Sequence, residues 1–90
     1  MIIACDTSSV ICSVAVSDKG TVLWEKEATG GQIHIEKLSP FIKEALDYCS
    51  SEGKHPEALA IAIGPGSFNG LRIGLATMKA LAVALELPLI

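Results

Sequence analysis

The stretch Gly64-Pro-Gly-Ser-Phe-Asn-Gly-Leu-Arg-Ile-Gly74 decides the fold of this chain. It lies between a short apolar run, Ala58 to Ile63, and a long apolar segment with helical spacing, Leu71 to Leu87. A short apolar run followed by glycines and then a helix predicts a strand–loop–helix unit. Such a loop lies at the carboxyl end of its strand, where open α/β sheets usually bind ligands. Its N–H groups can face an anion, and Ser67 is a suitable N-cap for the helix.

Counting residues excludes three well-known loops. A Walker A loop needs Lys followed by Ser or Thr after its last glycine, but Leu71 and Arg72 stand there. The dinucleotide fingerprint needs a glycine where this chain has Asn69. A nucleophile elbow needs glycines two residues either side of the serine, whereas Ser67 has Pro65 and Asn69. A tight turn with a close contact between helix and sheet therefore remains an alternative to ligand binding.

The candidate ligand-binding residues follow two predicted strands. The first strand ends in Asp-Thr-Ser, which can hydrogen-bond a phosphate but can equally close a turn. We expect the loop glycines to serve backbone geometry and not catalysis, because glycine alone tolerates positive φ and close approach. The full candidate set is Asp6, Thr7, Ser8, Gly64, Gly66, Ser67 and Gly70.

Catalytic and metal sites are not expected. A nuclease would need further carboxylates converging on Asp6, and the remaining acidic residues fall on predicted turns or solvated faces. The two histidines, His34 and His55, have no second histidine four residues away, the spacing of metal-binding helices. The sequence therefore predicts no catalytic residue, no metal and no cofactor.

Three strands are predicted before the first helix. Met1 to Cys5 is a continuous apolar run, so we expect a central strand covered on both faces. Val10 to Ser17 alternates in polarity, and Thr21 to Ala28 follows a turn signal, with Val22 and Trp24 facing inward. The three form an antiparallel meander, and the run before the glycine stretch supplies a fourth, parallel strand.

The first helix is predicted from a single apolar stripe. The spacing i, i+3, i+4, i+7, i+8, i+11 is typical of one buried helix face. Pro40 is expected in the first turn, where its missing N–H group matters little, so the helix begins between Ile35 and Ser39. The stripe consists of Leu38, Phe41, Ile42, Ala45, Leu46 and Cys49.

The second helix is apolar on all sides. One stripe suits a sheet: Leu71, Leu75, Met78, Ala82 and Leu85. The small-residue line Ala76, Ala80 and Ala84 would let another helix approach closely. A helix that is apolar all round is normally buried all round, so either a larger parent domain or a subunit interface covers it. Leu87 to Ile90 predicts a turn into a fifth strand.

Composition narrows the function further. The chain has 90 residues, a net charge of −3 and seven scattered basic residues, so it lacks the basic patch that nucleic-acid binding requires. Its three cysteines are odd in number, and Cys5 and Cys12 fall in predicted core strands, which favours buried free thiols. Lys79, Glu86 and Pro88 interrupt the only long apolar segment, so no membrane span is predicted.

Three segments in the same order resemble the TsaB (YeaZ) family: Ile3 to Ser8, His34 to Pro40, and the glycine stretch with the Leu-Ala-Thr-Met-Lys-Ala-Leu-Ala that follows it. The sequence departs from the family pattern at Asn69, where threonine is usual, and at Ile35, where a small hydroxyl residue is common. The resemblance implies an actin-like (ribonuclease H-like) α/β fold. Residues 1–90 would form a partial amino-terminal domain, under half of such a protein.

The resemblance also implies a function. It implies a non-catalytic, cytoplasmic partner of a TsaD-like transferase. That transferase modifies the tRNA adenosine beside the anticodon. A homodimer in isolation and contact with tRNA only through the complex are expected. The implied interface lies on the two helices: Phe41, Ala45, Arg72, Ala76, Lys79, Ala80 and Val83. The alternative is a nucleotide-binding piece of an actin-like kinase or ATPase. A peptidase is not supported, because the sequence shows no nucleophile–base pair.

Overall fold

The fold is a four-stranded mixed sheet with two helices. The computed structural model describes residues 1–7, 11–29, 34–62 and 68–90. The elements are, in chain order, β1 (Ile2–Asp6), β2 (Ile11–Asp18), β3 (Thr21–Thr29), α1 (His34–Ser51), β4 (Ala58–Ile61) and α2 (Phe68–Leu85). The sheet order is β3-β2-β1-β4, with β1, β2 and β3 antiparallel and β4 parallel to β1. This confirms the predicted meander followed by a parallel strand and two helices.

Both helices lie on one face of the sheet. On β1, Ile3 and Cys5 are buried in a core shared with α1 and α2, whereas Ile2 and Ala4 on the other face are half-buried. The prediction that β1 is covered on both faces is therefore wrong for this chain. Its central place in the sheet order is confirmed, and its continuous apolar run reflects one covered face and one half-buried face that carries Ile2 and Ala4.

A bulge in the β2–β3 hairpin corrects the predicted orientation of β3. Val16 pairs with Trp24 but Ser17 pairs with Val22, so Leu23 is an extra residue on β3. Beyond such a bulge the alternation of faces is shifted by one residue. Val22 consequently shares the face of Ser17 and is 58% exposed, contrary to the prediction. Trp24 packs against the core, as predicted.

The hairpin turn itself is as predicted. Lys19 and Gly20 have φ values of 52° and 81°. Two consecutive positive φ values are typical of the type I′ turn, whose twist matches that of the flanking strands.

Helix α1 begins one residue before the predicted range, at His34. Pro40 was predicted in the first turn, but it consequently lies inside the helix. Pro40 is exposed, so the hydrogen bond that it cannot donate is lost on the solvent side. The apolar stripe is confirmed, with Leu46 half-buried and the other members buried: Leu38, Phe41, Ile42, Ala45 and Cys49.

Helix α2 begins at Phe68, three residues before the predicted apolar segment, and ends at Leu85. Its buried line has a spacing of four residues: Gly74, Met78 and Ala82. Leu85 was assigned to the buried stripe but is 40% exposed, because it lies at the helix end. Neither of the two helices among the described residues is long and apolar enough to cross a membrane.

The chain after α2 returns to the sheet. Leu89 forms a parallel bridge with Leu59 of β4. The Leu59 N–H donates to the Pro88 carbonyl at 2.9 Å, and the Ile90 N–H donates to the Leu59 carbonyl at 2.8 Å. These bonds agree with the predicted turn towards a fifth strand, of which a single bridge forms at the β4 edge.

Candidate functional site

The predicted ligand site lies at the carboxyl ends of β1 and β4. The structure places Asp6 at the end of β1, followed directly by Thr7. Gly70 lies in the first turn of α2 and not in the loop before it. Ser8, Gly64, Gly66 and Ser67 lie outside the described residues, so their predicted roles stay predictions.

Asp6 and Thr7 face opposite sides of the sheet. Asp6 lines a shallow cavity of about 290 Å³ on the face without helices, together with Ser13 and several alanines. Thr7 is fully buried on the other face. Consecutive residues of an extended chain alternate in this way. The two side chains therefore do not act on one ligand group from the same side.

The cavity on the open face is mostly aliphatic. Ala4, Ala15 and Ala60 supply methyl groups from three neighbouring strands. Asp6 and Ser13 are register partners across β1 and β2 and form the polar side of the wall. This arrangement offers apolar contact with one carboxylate and one hydroxyl at its rim.

A close contact between helix and sheet was one of the two roles predicted for the glycine stretch, and α2 makes such a contact with the end of β1 at Gly74. A Cβ atom added at Gly74 would overlap Thr7 Oγ1 and would lie 3.1 Å from Ile61 Cδ1. At Gly74, therefore, the backbone of α2 approaches the sheet too closely for any side chain. The sequence carried a signal for it, because Gly70 and Gly74 have the i, i+4 spacing of one helix face.

The three thiols lie in the layer between sheet and helices. Cys5, Cys12 and Cys49 are free and buried, which confirms the prediction for the first two. Burial, with smaller contributions from the nearby Cys12 and Asp6, raises the pKa of Cys5 to about 12. Burial also raises the pKa of Cys12 and of Cys49. All three are un-ionised at neutral pH, whereas the thiolate is the reactive form.

Five of the predicted interface residues form an exposed surface on α2. Arg72, Ala76, Lys79, Ala80 and Val83 all lie on the side turned away from the sheet. Val83 is 80% exposed, more than any other large apolar side chain among the described residues. We call these five residues the outer face of α2.

The other two predicted interface residues belong to the core. Phe41 and Ala45 are 6% and 0% exposed. The Lys26 ammonium lies 5.5 Å from the centroid of the Phe41 ring and donates to Glu44 Oε1 at 2.8 Å. Phe41 and Ala45 also belong to the apolar stripe that was predicted to be the buried face of α1, and that burial is confirmed. Their role in an interface stays a prediction.

No group of three His, Cys, Asp or Glu side chains that could hold a metal ion occurs within residues 1–7, 11–29, 34–62 and 68–90. His55 is exposed and stands after α1.

Comparison with known proteins identifies the family. A family model described as TsaD, tRNA N6-adenosine threonylcarbamoyltransferase, matches residues 25–90. The tRNA threonylcarbamoyladenosine biosynthesis protein TsaB of Escherichia coli is 37% identical over 99% of the chain, and that of Bacillus subtilis is 31% identical over 98%. The chain belongs to the TsaB (YeaZ) branch of the TsaD-like family. A tRNA N6-adenosine threonylcarbamoyltransferase of Ligilactobacillus salivarius is 40% identical, over 63% of the chain.

Solved structures agree with this assignment to the TsaB (YeaZ) branch. YeaZ from Pseudomonas aeruginosa superimposes with a TM-score of 0.84 at 33% identity, over 99% of this chain and 41% of that one. A second structure, described as an uncharacterized protein with similarity to peptidase YEAZ from Pseudomonas aeruginosa, gives 0.83. The chain spans 38% of the length of the TsaB proteins of Escherichia coli and Bacillus subtilis.

Proposed function

We propose that the chain is the amino-terminal part of a scaffold subunit that supports a TsaD-like transferase. That transferase would attach threonylcarbamoyl to the tRNA adenosine beside the anticodon. The observation that carries the proposal is the similarity of nearly the whole chain to proteins named for tRNA threonylcarbamoyladenosine biosynthesis. The exposed outer face of α2 supplies a surface that suits a scaffold.

The outer face has the chemistry of a protein contact. Val83 offers a large exposed side chain, and Ala76 and Ala80 leave room for a second helix to approach. Arg72 and Lys79 add positive charge to this face. Exposed apolar patches with a polar rim mark protein–protein sites. In isolation the same face would meet its copy across a two-fold axis, the commonest symmetry of such oligomers.

Contact with tRNA is proposed to run through the complex. The chain has a net charge of −3, whereas nucleic-acid affinity depends on clustered Lys and Arg that neutralise phosphates. Arg72 and Lys79 lie on the outer face itself, where the protein partner would cover them.

A non-catalytic role is supported by the state of the reactive groups. The three thiols are un-ionised at neutral pH because burial raises their pKa values. Asp6 and Thr7 point to opposite sides of the sheet, so they do not converge on one substrate atom. Cleavage of a peptide by the purified chain would contradict this part of the proposal.

The alternative function, nucleotide binding, rests on Asp6 and Thr7 at the strand end. The matches of nearly the whole chain to TsaB proteins favour the scaffold over it. Titration calorimetry with ATP and magnesium separates the two. The scaffold predicts no heat beyond dilution, and saturable heat that Asp6→Ala removes would favour the nucleotide-binding function.

The test of the scaffold proposal is association with a TsaD-like transferase from the same cell. Sedimentation velocity of the mixture should show a complex with the wild-type chain and none with Ala80→Glu. Ser39→Glu is the matched control, because it adds the same charge at an exposed position of α1. Binding by Ala80→Glu at wild-type affinity, or loss of binding in Ser39→Glu, would contradict the outer face as the contact surface.

A further inference from the structure

Helix α2 lies in close contact with the end of the sheet at Gly74. The Cβ atom that Gly74 lacks would overlap Thr7 Oγ1. Further along the same line, Met78 is fully buried and Ala82 is 9% exposed. At the amino-terminal half of α2, therefore, the helix backbone itself rests on the sheet, whereas further along a full-sized side chain separates the two.

The surface under Gly74 has little freedom to recede. Thr7 directly follows β1, and Ile61 ends β4, which is parallel to β1. Cys5 of β1 and Ile61 of β4 are register partners. The Ala62 N–H donates to the Cys5 carbonyl at 3.1 Å, which ties the strand ends together. Close-packed interiors transmit strain instead of absorbing it. A larger residue at position 74 would consequently displace the helix.

The outer face lies directly opposite this contact. Val83 follows Gly74 by nine residues, which is about two and a half helical turns. Ala76 and Ala80 lie within about a sixth of a turn of the same direction. A displacement of α2 at Gly74 therefore moves the outer face away from the sheet.

We infer that Thr7 and Gly74 form a positioning contact that fixes the height and tilt of α2 and, through them, the geometry of the outer face. Thr7 is here a positioning residue that acts through α2. The part of this inference that concerns association rests on the proposed function of the outer face. The steric contact itself rests only on the packing described above.

Paired substitutions isolate the contact. In Gly74→Ala the new methyl group meets Thr7 Oγ1, and overpacking of this kind should lower the melting temperature of the chain by at least about 4–8 °C. In Thr7→Ala/Gly74→Ala the nearest atom at position 7 is Cβ, at 3.6 Å, an ordinary contact distance. The double variant should recover the melting temperature relative to Gly74→Ala. Thr7→Val/Gly74→Ala keeps a branched side chain at position 7 and should not recover.

Self-association separates positioning from mere stability. At a temperature where circular dichroism shows every variant folded, sedimentation equilibrium should show Gly74→Ala associating about tenfold more weakly than wild type, and the Thr7→Ala/Gly74→Ala double variant should associate like wild type. Wild-type association of folded Gly74→Ala would overturn the positioning role. Additive melting-temperature losses in the double variant would overturn the Thr7–Gly74 contact.

The Ala80→Glu variant distinguishes failure of this inference from failure of the proposed function. If Ala80→Glu self-associates like wild type, the outer face is not the contact surface and the positioning role falls with it. The melting-temperature cycle still decides the steric contact in that case. If Ala80→Glu dissociates while Gly74→Ala does not, only the positioning inference is wrong.

Discussion

Helices α1 and α2 have the same length and lie on the same face of the sheet, but they differ in how much of their surface the chain covers. Each has 18 residues. Helix α1 buries its apolar stripe and exposes charged residues such as Lys43, Glu44 and Asp47. Helix α2 buries a narrow line and exposes Val83 and small apolar residues. The chain covers the apolar stripe of α1, whereas α2 carries exposed apolar surface that suits a second protein.

The largest expected effect tests whether α2 is nonetheless an integral part of the fold. Met78→Ala should reduce the free energy of unfolding by about 2–5 kcal/mol, because Met78 is fully buried and a cavity would remain. Leu38→Ala on α1 should cost a similar amount. Urea unfolding of both variants measures this. A near-wild-type Met78→Ala beside a strongly destabilised Leu38→Ala would mean that α2 is held far more loosely than α1.

The next effect concerns the exposed sides of the two helices. Ala80→Glu should weaken self-association about 100-fold, because burying an unpaired carboxylate at an interface costs about 3 kcal/mol or more. Its unfolding free energy at low protein concentration should change by no more than about 0.5 kcal/mol, as for an ordinary surface substitution. Sedimentation equilibrium and urea unfolding supply the two readouts. An Ala80→Glu chain that unfolds at low concentration as easily as Met78→Ala would place Ala80 inside the fold.

The difference between the two helices explains what the sequence could predict. The stripe of α1 and the alternation of β2 are local signals, so the element types and the sheet order followed from the sequence. The turn signal between β2 and β3 predicted the antiparallel meander, and the resemblance to TsaB implied the actin-like fold to which it belongs. The surplus of apolar residues on α2 also indicated correctly that one side of this helix is left uncovered by the chain.

The errors concern contacts between elements. Val22 was assigned to the wrong face because the bulge at Leu23 is set by pairing with β2. The interface role of Phe41 came from the family resemblance, whereas its helical spacing placed it on the buried stripe, where the sheet and Lys26 cover it. The i, i+4 spacing of Gly70 and Gly74 marks one helix face, but it does not show that Gly74 lies against Thr7.

The layer covered by both helices gives a pH-dependent prediction. The pKa of Cys5 is raised to about 12 from 9.0, so the folded state favours the neutral thiol. Its contribution to stability is fully present below pH 9 and is lost as the pH rises from 9 towards 12. The unfolding midpoint of the wild type should therefore fall over this range. The midpoint of Cys5→Ala, measured relative to its own value at pH 8, should fall less. A parallel fall in both proteins would assign the effect to other groups.

The same layer protects the thiols from reagents. At pH 8 a thiol reagent should modify the folded chain slowly, and unfolding in urea should release three reactive thiols. Rapid modification of one thiol in the folded chain would show that a helix opens from the sheet. Repeating the measurement with Met78→Ala and Leu38→Ala identifies which helix opens.

The smallest expected effect concerns the ion pair between Lys26 of β3 and Glu44 of α1. Lys26 donates to Glu44 at 2.8 Å, but both side chains are almost half exposed. Exposed ion pairs contribute little, so Glu44→Gln should lower the free energy of unfolding by about 0.5 kcal/mol or less, and less again in high salt. Asp47→Asn removes the same charge from the same helix and is the control. A loss of unfolding free energy larger than that of Met78→Ala would mean that α1 depends on this ion pair. Burial of its apolar stripe would then not by itself explain why α1 stays packed on the sheet.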